Sequence, residues 1–186
     1  MNDILDTEKM DSGRMSLHPA VVDLRAIVHR AIEGGEGFAR ERSVRLAFER
    51  PAQAIRADAD ADRLDQVLTN LLSNAVKFSP PGATVEVTLR EVGGRARMEV
   101  RDRGPGIPPE FRNRIFQRFS QADGSDSRQK CGTGLGLYIA KGIVDRSGGT
   151  IGFDSNPGEG ATFHVELPLS AAPAPSPNRR RVASEV

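Results

Sequence analysis

The stretch DQVLTNLLSNAVKFS, residues 65 to 79, decides the fold. Leu64, just ahead of it, and Val67, Leu68, Leu71, Leu72, Ala75 and Val76 recur at the three-and-four spacing of one apolar helical face, which must be core. Gln66, Asn70, Asn74 and Lys77 follow at the same spacing on another face, with Phe78 beside Lys77, so the polar groups form one column aimed at one thing. Asparagine is a mediocre helix former because its amide competes for backbone hydrogen bonds, and two of them a turn apart inside a helix need a reason. An amide oxygen is a neutral hard ligand for magnesium, and a lysine one turn on meets phosphate as a point charge. The column therefore suits a metal-bound polyphosphate. The alternative is a solvated face on which the asparagines are simply tolerated, and other segments must break the tie.

Composition narrows the partners. A chain of 186 residues with 38% hydrophobic content can bury one good core and carry appendages, but hardly two full domains. A net charge of +1 supplies no long-range field for nucleic acid or an anionic membrane, so any attraction for phosphate must be local. The single cysteine, Cys131, excludes a disulfide framework and fits a reducing compartment. There is no run of eighteen apolar residues and no apolar signal core at the N-terminus, so a soluble, cytoplasmic piece without membrane contact is expected. His18, His29 and His164 are scattered, which argues against zinc.

Working outward from the central helix, residues 1 to 17 place Ile4, Leu5, Met10 and Met15 among charged neighbours, as in a helix ending near Ser12-Gly13 that is too short to stand alone. Such a piece reads as the end of a longer helix whose partner is missing. After Pro19, Val21 to Ala39 reads as an amphipathic helix weakened at its end by Gly34, Gly35 and Gly37. Val44 to Phe48 alternates as a strand, Ala54 to Ala57 suggests another, and Asp60 or Asp62 can cap the central helix, which Ser79-Pro80 stops. Residues 83 to 101 make a hairpin turned by Gly93-Gly94, and its second strand runs straight into Asp102-Arg103-Gly104-Pro105-Gly106. From Pro108 to Gly132 the pattern dissolves around Phe111, Ile115, Phe116 and Phe119, a length that suggests a lid. Leu135 to Arg146 is helical again, and Thr150 to Asp154 and Ala161 to Leu167 are strands. Beyond Pro168, residues 170 to 186 read as a disordered tail rich in proline and arginine.

Two further segments carry chemistry. Asp102 stands at a strand end, where a rigid ladder aims its acceptor-only carboxylate, and the glycines behind it let a ligand approach; it suits the exocyclic amine of adenine, or is merely a turn residue. Gly132-Thr133-Gly134-Leu135-Gly136-Leu137 is a glycine-rich turn feeding a helix, and amides at such a start bind phosphate oxygens, though capping or close packing also explains such turns.

Taken together and in order, these segments resemble the catalytic and ATP-binding domain of sensor histidine kinases, in the superfamily that also holds gyrase-type ATPases and an ATP-dependent chaperone class. Residues 70 to 78 are similar to its N box, Asp102 to Gly106 to G1, Phe116 to Phe119 to the F box, Gly132 to Leu137 to G2, and Gly158 to Phe163 to G3. The resemblance implies an α+β two-layer sandwich of Bergerat type, three main helices on one face of a mixed sheet, with domains at 1–17 (end of the second helix of a phosphoacceptor segment), 18–169 (catalytic) and the tail. It implies ATP and Mg2+: Asn74 on the metal, Asn70 ordering metal and phosphates, Lys77 and Arg118 on phosphate, and Phe78 against adenine. It further implies Asp102 on the adenine amine with Thr162 supporting it, and Gly104, Gly106 and Ile107 around the base. Gly132, Thr133, Gly134, Leu135, Gly136 and Leu137 would form the phosphate loop and hinge the lid.

Two departures qualify the resemblance. Cys131 stands where many relatives have glycine, and no histidine followed closely by an acidic residue is visible, so the phosphoacceptor is expected on a dimerisation segment outside this chain. A kinase domain that binds Mg-ATP, acts as a monomer as it stands, and passes phosphate onward to a response regulator is the reading that follows. The alternatives are a gyrase- or chaperone-like ATP hydrolase, in which a glutamate base usually takes the place of Asn70, and a nucleotide-sensing module that has lost transfer.

Overall fold

The computed structural model describes residues 3 to 120 and 134 to 171. Its centre is α3 (Ala61–Phe78), capped by Asp60, whose carboxylate accepts from the backbone N–H groups of Asp62 and Arg63, and ended at Ser79. Leu64, Val67, Leu68, Leu71, Leu72, Ala75 and Val76 are all buried, so the apolar stripe does become core.

Beneath it lies a five-stranded mixed sheet in the order β2-β4-β5-β7-β6. Its strands are β2 (Arg45–Glu49), β4 (Thr84–Val92), β5 (Arg95–Arg101), β6 (Thr150–Ser155) and β7 (Ala161–Pro168). β2 and β4 run parallel, as a strand pair joined through a crossover helix must, and the remaining pairs are antiparallel. Period-two alternation sends Val85, Val87, Met98, Val100, Phe163 and Val165 to the buried side. The other side carries Arg90, Arg97, Glu99 and Glu166 in an ion-pair ladder, with Arg97 joined to Glu99 at 2.7 Å and to Glu166 at 2.9 Å. Helices α2 (Leu24–Glu41), α3 and α5 (Gly136–Arg146) cover the apolar side, giving the expected α+β sandwich.

The structure corrects three local expectations. The segment after Pro19 opens as a strand, β1 (Ala20–Asp23), paired antiparallel with β3 (Arg56–Ala59), and only then becomes α2, capped by Asp23. The helix then runs beyond its expected end at Ala39 to Glu41, with Gly34, Gly35 and Gly37 inside it. The 108–120 stretch holds a short helix, α4 (Pro109–Arg112), and an anchored turn in which Ile115 is buried. At the front, α1 (Asp3–Asp11) packs on α5, with Met10 buried against Gly142. Among the described residues no helix is long and apolar enough to cross a membrane. Residues 121–133 and those beyond 171, where the lid and the tail were expected, lie outside the described residues.

Candidate functional site

One end of the site is built almost wholly from backbone. β5 delivers Asp102, 5% exposed, and its Oδ1 accepts from the N–H of Gly104 at 2.8 Å and of Ala161 at 3.1 Å. Burial pushes the Asp102 carboxyl above its ordinary value, and the two amides pull the other way without cancelling it. Among the described residues Oδ2 takes no hydrogen bond, so this buried carboxylate has a second acceptor to offer. The turn is close-packed around it. A side chain at Gly104 would stand 2.8 Å from the Phe78 carbonyl oxygen, one at Gly106 (φ +77) 2.3 Å from that of Asn156, and one at Gly160 (φ +85) 2.2 Å from that of Asp102 itself. Gly104 thus brings the Asp102 turn directly onto the C-terminal end of α3. Ile107 is buried and its N–H donates to Ser155 Oγ at 2.8 Å.

Strand alternation corrects one expected site residue. Thr162 pairs with Arg101 and shares the outer side of β7 with His164 and Glu166, while Ala161 and Phe163 are buried. Thr162 is therefore not brought to the carboxylate; the neighbour that supports Asp102 is the Ala161 amide.

The polar column of α3 divides. Gln66, 2% exposed, is turned away from any ligand: its Nε2 donates to Asp6 of α1 at 2.8 Å and its Oε1 accepts from Arg63 at 2.9 Å. Asn70 and Asn74 are half-buried. Asn70 Nδ2 donates to the Gly136 carbonyl at 3.0 Å, which ties α3 to the start of α5. Because a carbonyl can only accept, that bond settles which amide atom faces Gly136, and Oδ1 keeps its lone pairs. The Lys77 ammonium lies 5.1 Å from the Phe78 ring centroid, and that ring is 42% exposed at the end of the column.

At the other end, Gly132 and Thr133 lie outside the described residues. Gly134 (φ +69) lets the chain pass the backbone of Phe119, where a side chain would come within 2.9 Å. Leu135 is buried and accepts from Ile139 N–H at 2.9 Å, Leu137 packs on the core, and among the described residues no side chain caps α5. The first turn of α5 therefore points its backbone amides toward this end of the site. Phe116 packs on Phe153 and Phe163 at 6.0 and 6.5 Å between ring centroids, which makes it an anchor, whereas Phe119 is 69% exposed with φ +55. Arg118 pairs with Asp11 and stacks on Tyr138, 5.1 Å from its ring centroid. Neither Asp11 nor Tyr138 was marked by the sequence pattern; the available signal was the placement of Tyr138, the only tyrosine, in the third position of α5.

The donor set suits magnesium carried by a polyphosphate better than a resident metal. Among the described residues no group of three or more His, Cys, Asp and Glu side chains could hold an ion. Magnesium keeps most of its water and takes one or two protein ligands plus phosphate oxygens, for which half-buried amide oxygens on one helical face are adequate.

The chain is similar to known proteins over most of its length. The model of the family described as histidine kinase-, DNA gyrase B-, and HSP90-like ATPase matches residues 59–171. The chain is 38% identical over 175 residues to hybrid signal transduction histidine kinase D of Dictyostelium discoideum, covering 91% of this chain and 11% of that protein. It is 38% identical over 172 residues to sensor histidine kinase TmoS of Ectopseudomonas mendocina, covering 92% and 18%. The chain therefore spans only a small part of the curated relatives it matches. Among solved structures, full-length ShkA in complex with AMPPNP superposes with a TM-score of 0.79 at 35% identity, covering 93% of this chain and 36% of that one. The nucleotide-free catalytic domain of histidine kinase ThkA gives a TM-score of 0.69 at 28% identity, covering 81% and 95%.

Proposed function

We propose, from the premise that the chain belongs to the family of histidine kinase-, DNA gyrase B-, and HSP90-like ATPases, that it is the part of a sensor histidine kinase that binds Mg-ATP and presents the γ-phosphate to a histidine imidazole on a dimerisation segment. The observation that carries the reading is Asp102, a buried carboxylate with one oxygen gripped by two backbone amides and the other left to accept. A group of that kind selects a donor, and the exocyclic amine of adenine is the donor a nucleotide brings.

In this reading Oδ2 of Asp102 accepts from adenine, Phe78 flanks the base, and Ile107 closes the apolar wall behind it. Asn74 holds the metal, with Asn70 beside it. Lys77, Arg118 and the amides from Gly132 through Leu137 face the phosphates. Magnesium, when bound, neutralises charge on the β- and γ-phosphates. The imidazole nitrogen forms its bond to the γ-phosphorus as the bond to the bridging oxygen breaks, and ADP carries away the electron pair; the chain's residues contribute alignment and positive charge. His29 pairs with Glu33 on α2 at 3.2 Å, His164 lies on the outer side of the sheet, and His18 is held by its backbone N–H to Asp60 at the cap of α3; in this reading none of the three is the acceptor, which a dimerisation segment supplies. Phosphate then passes to a response regulator, in a reducing, cytoplasmic setting. The hydrolase alternative lacks its base, since an amide at position 70 takes no proton.

Calorimetric titration with ATP, with and without magnesium, tests the reading on wild type and Asp102→Asn. Magnesium-dependent binding that the substitution weakens by an order of magnitude or more supports it. Stable phosphate appearing on the isolated chain itself, or steady phosphate release without an added histidine-bearing segment, overturns it.

A further inference from the structure

The phosphate end of the site already holds a cation and an anion of the protein's own. The Arg118 guanidinium lies over the ring of Tyr138, the third residue of α5. The first turn of a helix carries the positive end of its dipole, and here no side chain among the described residues caps it. A guanidinium parked at a positive helix end is unfavourable unless an anion stands beside it. That anion is Asp11, the last residue of α1: its Oδ2 pairs with Arg118, and its Oδ1 accepts from the Tyr138 hydroxyl at 2.7 Å. α1 is held in place from behind by Asp6, bonded to Arg63 at 3.1 Å and Gln66 at 2.8 Å, and by Arg146 donating to the Met10 carbonyl at 2.9 Å.

We infer that Tyr138 is the positioning residue for Arg118, and that the Asp11 carboxylate occupies the place on that guanidinium which the outer phosphates of a nucleotide take. Docking of α1 and binding of phosphate then compete for one cation, and the coupling is reciprocal: phosphates loosen α1 as much as α1 weakens phosphates. The inference rests on the nucleotide reading above. It is a modest competition, because the Arg118 and Asp11 side chains are 38% and 39% exposed and an exposed pair is worth only a few-fold in affinity.

Titration of the full chain with ATP and, separately, with adenosine distinguishes the two layers of the argument. Asp11→Asn is expected to tighten ATP by about two- to fivefold and leave adenosine unchanged. Tyr138→Ala, which removes the platform, weakens ATP by about two- to fivefold, again with adenosine unchanged, and Tyr138→Phe, which keeps the ring, restores ATP affinity to within about twofold of wild type. Hydrogen exchange in α1 should quicken with ATP and not with adenosine. If wild type binds both ligands but Asp11→Asn changes neither, or Tyr138→Ala weakens both alike, the competition is wrong while the nucleotide reading stands. If wild type binds neither ligand, both fall together.

Discussion

The two ends of the site are made of different materials. Around Asp102 the contacts are backbone to backbone, with glycines admitting carbonyl oxygens where any side chain would collide and the carboxylate buried. Around Arg118 the contacts are side chain to side chain, partly exposed, and drawn from three separate elements. Backbone packing has one arrangement and holds a group to a fraction of an ångström; exposed ion pairs have several arrangements of similar energy. In the proposed nucleotide reading, that contrast makes the base-recognition end fixed and the phosphate end able to exchange partners.

The contrast is most readily broken at Gly160. With φ +85 and the Asp102 carbonyl 2.2 Å from any added carbon, Gly160→Ala forces the turn apart. It should cost about 3 kcal/mol, lower the melting temperature by about 10 °C and abolish ATP binding in calorimetry. Asp102→Asn should separate function from stability. ATP affinity falls roughly 30-fold, about 2 kcal/mol, because a charged acceptor is lost, yet the fold is as stable as wild type or more so at neutral pH. The sign follows from burial raising this carboxyl. Its favourable contribution is full below the unfolded value of about 3.9 and is lost as pH rises through the higher folded value, so wild type and variant converge in acid and part in favour of the variant as pH rises. Urea melts between pH 4 and 8 read this directly.

Smaller effects sharpen the comparison. Asn70→Ala cuts the tie from α3 to Gly136 and should cost about 1 kcal/mol in thermal stability, with a larger loss of ATP affinity in the presence of magnesium than in its absence. Asp60 is the carboxylate of opposite slope. Burial works to raise it, but the N–H groups of His18, Arg63 and Asp62 together hold it below its ordinary value. Asp60→Ala should cost about 1 kcal/mol. That contribution is present above the unfolded value of about 3.9 and disappears as pH falls through the lower folded one, so acid melts of wild type and variant converge at low pH. The smallest effect belongs to the exchangeable end: Asp11→Ala should shift stability by less than about 1 kcal/mol, and less still in high salt.

Much of this was legible before any coordinates. The apolar stripe of α3, the Asp60 cap, the Gly93-Gly94 hairpin and the strand-end Asp102 each depend on neighbours within a few residues, and the structure has them where local spacing puts them. What was illegible is equally specific. The true bounds of α2, Leu24 to Glu41 rather than Val21 to Ala39, are set by packing, because a helix seated on the core by Leu24, Ile27, Val28 and Ala31 carries its glycines without fraying at them. Residues 20 to 23 are a strand only because β3 lies beside them.

The amino-acid sequence by its periods and turn residues fixes the central helix, the Gly93-Gly94 hairpin, the last helix and the last two strands, while the sandwich that joins them and the polar groups offered to a nucleotide came from the ordered resemblance of five short segments to one family. Only the tertiary structure decided that Gln66 faces α1 while Asn70 faces α5, that Ala161 and not Thr162 stands beside Asp102, and that Arg118 meets Asp11. Helical and strand periods say which residues share a face; what lies across from that face is set by segments far away in the chain, whose packing no local spacing encodes.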